Sequence, residues 1–144
     1  MSEKIAKYLT VILGPHIWFP VLFVIIILKS NLGGQQLAVI FPSIFTLLVI
    51  IPICYLIIAP KKGWISSWEM KIKEERKPFL MLMIALTTIA LVIIHFWGNA
   101  FLFNLTIVLI SIVIVLFGIT KYWKISLHAS LNTFAAILIN FLFG

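Results

Sequence analysis

Two short polar segments carry the residues of this chain that could do chemistry. The first is Lys121-Tyr122-Trp123-Lys124-Ile125-Ser126-Leu127-His128, which lies between two apolar runs and sets a histidine just inside the second of them. An ionisable group in such a run is expensive and usually has a task. With a helix beginning near Ser126, that hydroxyl and the free backbone N–H groups of the first turn form an anion site, and His128 stands beside it as a proton donor. The second segment is Glu74-Glu75-Arg76-Lys77-Pro78, at the entrance to another apolar run. Both set cations at a helix N-terminus, where the dipole attracts anions and disfavours a cation. A bound phosphate relieves that conflict, with Arg76 gripping it as a bidentate fork and Lys124 adding a point charge. On one continuous helix Lys121, Lys124, His128 and Asn132, spaced by three and four, share a face, so Asn132 is placed to orient the imidazole. Ala129, Thr133 and Ala136 form an adjacent stripe of small residues that lets another helix approach.

The elements that must position these residues are membrane helices. The chain has 144 residues, 63% of them hydrophobic and 10% charged, with a mean hydropathy of +1.22, which is far too apolar for a soluble domain. A net charge of +7 raises the question of nucleic acid, but Lys and Arg cluster in short loops beside apolar runs, so topology and anionic lipid account for them better. All four acidic residues are glutamates, so the aspartate-rich, magnesium-binding motifs of membrane prenyltransferases and alcohol phosphatidyltransferases are missing. No metal site and no cofactor are expected, since three of those glutamates crowd one loop without ligand-like partners. Cys54 is alone and reads as a small apolar packer.

Five spans are expected, at about 8–28, 37–59, 78–97, 101–120 and 127–143, in a single all-α polytopic membrane domain. Segment 60–77 repeats Trp64, Trp68 and Ile72 at four-residue spacing with charges between, the pattern of a short helix lying in the interface. Pro78 marks the start of the third span. Basic residues alternate along the chain as five spans require, which puts the N-terminus and both polar loops on the cytoplasmic side. Lys4 and Lys7 precede a first run that lacks a small-residue cleavage site, so it reads as a retained helix.

Lys61-Lys62-Gly63-Trp64-Ile65-Ser66, then Glu74-Glu75-Arg76, then Lys124-Ile125-Ser126-Leu127-His128 resemble divergent small members of the type 2 phosphatidic acid phosphatase (haloperoxidase-like) superfamily of membrane lipid phosphatases. The resemblance covers roughly 61–136. It implies that Arg76 binds phosphate as in the family's first motif, that Lys71 or Lys73 stands in for that motif's lysine, and that Ser126 and His128 match the serine and histidine of the second. His128 would then be the general acid on the leaving alkoxide of a lipid phosphomonoester or isoprenoid diphosphate. In the family the nucleophile is a third-motif histidine that forms a phosphohistidine without a metal. Nothing after Ser130 supplies Arg, His or Asp, so the nucleophile is unassigned and the chain is expected to stop before a sixth span.

The rival reading is a non-catalytic membrane binding or assembly protein whose basic loops set topology and hold anionic lipid. In that reading Arg76 and its neighbours mark topology, and His128 is a buried group bonded to a carbonyl or to Asn132. A small transporter is disfavoured by the lack of intramembrane acids and of an inverted repeat. His95, beside Trp97, reads as an interfacial histidine, and His16 lacks a partner for chemistry.

Overall fold

The computed structural model describes residues 15–67, 70, 72–123 and 127–144, with backbone alone for Pro15, His16, Leu127 and His128. The described residues form five helices: α1 (Pro15–Lys29), α2 (Gly34–Lys61), α3 (Lys73–Trp97), α4 (Ala100–Tyr122) and α5 (Leu127–Phe143). No strand occurs among them. Three helices, α2, α3 and α4, are long and apolar enough to cross a membrane, and α1 and α5 contribute shorter apolar runs. The outer faces carry apolar side chains such as Leu28, Ile57, Met81, Val92 and Val115, a surface compatible with a bilayer.

Residues 27–125 make one compact unit, and residues 1–26 with 126–144 make another. In the larger unit α3 is the central element. It buries Arg76, Phe79, Leu80, Leu86, Thr87, Ala90 and Ile94 along one stripe, recurring at the helical period. It packs along its length against α4, whose stripe is Leu102, Thr106, Val113, Leu116 and Thr120, and also against α2. The α3–α4 link is two residues long. Gly98 closes α3 where a Cβ would meet the Ile94 carbonyl oxygen at 2.7 Å, so only glycine fits. Asn99 caps α4 by accepting from the Leu102 N–H at 3.0 Å, and its amide donates to the Ser30 carbonyl after α1. In the smaller unit, α1 buries Leu22 and Phe23, and α5 buries Ala135 and Leu138.

α2 is one helix with a π-helical turn at Thr46–Ile50, ahead of Pro52. Pro52 has no N–H to offer the Leu48 carbonyl, and its ring crowds that turn. The wider turn relieves the crowding, with the Ile51 N–H reaching back to Thr46.

Three expectations are corrected. The third helix starts at Lys73, not Pro78, so Pro78 withholds an N–H from the carbonyl of exposed Glu74, within reach of water or headgroups. The described part of segment 60–77 holds no short interfacial helix. Instead α2 runs to Lys61 and ends in a Schellman motif, with Gly63 at φ 72°, its N–H on Pro60 and the Trp64 N–H on Ala59. Trp64 and Ile72 are exposed while Ile65 and Met70 are buried, because side-chain bonds to α3 hold the segment as an irregular loop. Trp68 lies outside the described residues. Lastly, α4 ends at Tyr122 and Trp123 is extended, so Lys121 and Asn132 stand on separate helices and the expected four-residue face is not continuous. Ala129, Thr133 and Ala136 are exposed, and the buried side of α5 is that of Ala135 and Leu138.

Candidate functional site

The first turn of α3 organises the loop before it. Ser66 donates to the Glu75 carboxylate twice, from its backbone N–H at 2.7 Å and its hydroxyl at 3.0 Å. Beyond it, the Met70 N–H bonds the Ser67 carbonyl at 2.9 Å, with Met70 at φ 47°. The Met70 carbonyl accepts from Arg76 Nε at 2.8 Å. Arg76 is only 5% exposed, and a buried guanidinium needs such partners. Glu74 and Glu75 lie in the same first turn, where carboxylates complement the helix dipole. They offset part of the penalty that Arg76 incurs there.

Lys73 ties this turn to the end of α4. Its Nζ donates to the Lys121 carbonyl at 3.2 Å, which satisfies an acceptor left open by the helix terminus. Lys121 Nζ lies 5.7 Å from the Tyr122 ring centroid. On the α2 side, Tyr55 packs on Phe79 with centroids 5.6 Å apart. One end of the larger unit thus gathers Lys61, Lys62, Lys73, Arg76, Lys77 and Lys121 against Glu74 and Glu75. The other end carries Lys29, together with Ser30, Gly98 and Asn99. His95 is exposed near that second end, its ring 5.7 Å from that of Phe103.

Of the expected site residues, Lys73 and Arg76 are brought together in one helical turn. α5 begins at Leu127, so His128 falls in its first turn as expected from a helix starting near Ser126. The His128 side chain, Lys124 and Ser126 lie outside the described residues. Asn132 is exposed on α5, in the smaller unit. No group of three or more His, Cys, Asp or Glu is clustered to hold a metal among the described residues. Sequence reasoning missed the Ser66–Glu75 clasp. Its only signal was a carboxylate in a helix's first turn, which says nothing of a partner nine residues upstream.

Comparison with family models, with curated proteins and with solved structures gives no match for this chain.

Proposed function

We propose that this chain is a polytopic membrane protein related to the metal-independent lipid phosphate phosphatases, with Lys73 and Arg76 of its phosphate site at the basic end of the α2–α4 unit. The observation that carries the reading is the bonding of Ser66 to Glu75 and of Met70 to Arg76, with Lys73 reaching the end of α4. Segments 61–66 and 74–76 are two of the three that carry the resemblance, and in sequence Lys121 stands three residues before Lys124 of the third. Lys73, Arg76, Lys124 and Ser126 bind the phosphate of a membrane phosphomonoester or isoprenoid diphosphate, and Asn132 orients His128. His128 donates its proton to the leaving alkoxide as the phosphorus–oxygen bond breaks and the nucleophile, a histidine in the family, bonds to phosphorus; water then frees the phosphate from it. The nucleophile has no counterpart among the motif residues matched in this sequence. All five helices cross the bilayer in this reading. The end rich in Lys and Arg faces the cytoplasm, following the positive-inside rule.

A second reading, a non-catalytic protein that holds anionic lipid, is favoured by one observation: Arg76 is buried and bonded to a loop carbonyl, as a residue serving the fold would be. Phosphate release from phosphatidate or polyprenyl diphosphate micelles in EDTA separates the two. The phosphatase reading expects release by the wild-type chain and a loss of about 100-fold or more in His128→Ala, the lower bound for a general acid. Release unchanged in that variant rejects the role of His128. Phosphatidate binding with no release assigns the second reading.

A further inference from the structure

Among the described residues, two buried side-chain polar atoms have no hydrogen-bond partner, Ser67 Oγ and Thr120 Oγ1. Both sit at the basic end of the α2–α4 unit, although buried hydroxyls occur along its whole length. Such atoms are rare in native structures, and each calls for an explanation. The Ser67 carbonyl accepts from the N–H of Met70, whose own carbonyl holds Arg76. Thr120 is the last residue of the stripe that α4 buries, and Arg76 is the first of the stripe on α3. The two helices run antiparallel through a two-residue link, so these stripe ends meet where Lys73 reaches the Lys121 carbonyl.

A threonine inside a helix has an easy partner in the carbonyl four residues back. Thr87, Thr88 and Thr106 take it, bonding Met83, Ile84 and Leu102 at 2.7 Å each. Ser111 bonds Ile107 at 2.8 Å and Thr133 bonds Ala129 at 2.9 Å. Thr120, fully buried, does not add its hydroxyl to the Leu116 carbonyl and holds it unsatisfied one residue before the Lys121 carbonyl that Lys73 reaches. Lys73 has two ammonium protons beyond the one it gives to Lys121. Together the hydroxyl and the ammonium offer donors that match an oxygen-rich anion.

We propose that the Thr120 hydroxyl is a binding donor to a phosphate oxygen held at the Lys73 end of the α3–α4 seam, either from a lipid headgroup or from free phosphate. The inference rests on the phosphate-handling reading above and adds to it a residue outside the segments that the resemblance covers by motif. It carries an unusual signature. A hydroxyl kept for a ligand harms the empty protein, so Thr120→Val should fold better and bind worse.

The test is thermal unfolding of the full chain in phosphatidylcholine nanodiscs, in nanodiscs containing phosphatidate, and in phosphatidylcholine nanodiscs with added inorganic phosphate. Thr120→Val without phosphate is expected to raise the midpoint by ~3 °C. The rise that phosphate induces in the wild type should fall by half or more in Thr120→Val and persist in Thr120→Ser. A wild-type response to phosphatidate alone identifies a lipid headgroup, and a response to inorganic phosphate identifies a site for the free ion. A lower midpoint in empty Thr120→Val, or failure of that variant to fold, overturns the inference because the hydroxyl is then serving the fold. A phosphate response kept in full by Thr120→Val overturns it alone. No wild-type response to either source overturns the parent reading as well.

Discussion

Arg76 is a single side chain on which two demands meet. Its charge suits a phosphate, and its position in the first turn of α3 is one that the helix dipole disfavours. The fold answers with the Met70 carbonyl and the adjacent glutamates. The sequence shows the charge but not the carbonyl, because the bond depends on where the chain places Met70, six residues upstream, and no spacing marks that. Glu75 is the counterpart whose role only the structure reveals. Removing its carboxylate by Glu75→Ala leaves two Ser66 donors to water, at a cost of about 1–2 kcal/mol. The expected readout is a lower unfolding midpoint and faster proteolysis after Lys61 and Lys62. Ser66→Ala should show a smaller effect, since the backbone bond to Glu75 remains.

The helices themselves are legible from their apolar runs, and 127–143 matches the observed α5. Their ends are less so, for a physical reason. Pro78 is a strong start signal, yet α3 begins five residues earlier because the Ser66 and Met70 bonds fix the turn that Glu75 and Arg76 occupy. The π turn of α2 follows from Pro52 in the same way, as a local consequence of a missing N–H. The α3–α4 link is the best-determined junction, where Asn99 does two jobs. Asn99→Asp should keep the cap on Leu102 and lose the donor to Ser30, whereas Asn99→Ala loses both. The alanine variant is expected to cost about 1–2 kcal/mol and the aspartate variant less, as read by thermal unfolding in one detergent. Equal losses would mean that the Ser30 contact alone matters.

At the scale of the whole molecule, the distribution of charge is the feature that sequence and structure agree on. Alternation of basic loops along the chain becomes, in the larger unit, an end with six cations and two carboxylates opposite an end with Lys29. The sequence locates the segments that meet there. It does not show that Lys73 closes the gap to α4, because a contact across 48 positions leaves no spacing to read. Likewise, no spacing marks Thr120 as different from Thr106, since both lie on the same buried stripe of one helix.

The measurement closest to the central claim is lipid retention by native mass spectrometry, comparing phosphatidate with diacylglycerol for the wild type, Lys73→Gln and Lys29→Gln. Glutamine at 73 removes the charge and retains an N–H donor on a side chain one bond shorter. With lipid phosphate held at the basic end, phosphatidate is retained over diacylglycerol, and Lys73→Gln lowers that preference roughly fivefold, from the ~1 kcal/mol typical of one cation near a membrane surface. Lys29→Gln leaves the preference unchanged. Equal losses in the two variants, or no preference for the phosphorylated lipid in the wild type, would contradict the account.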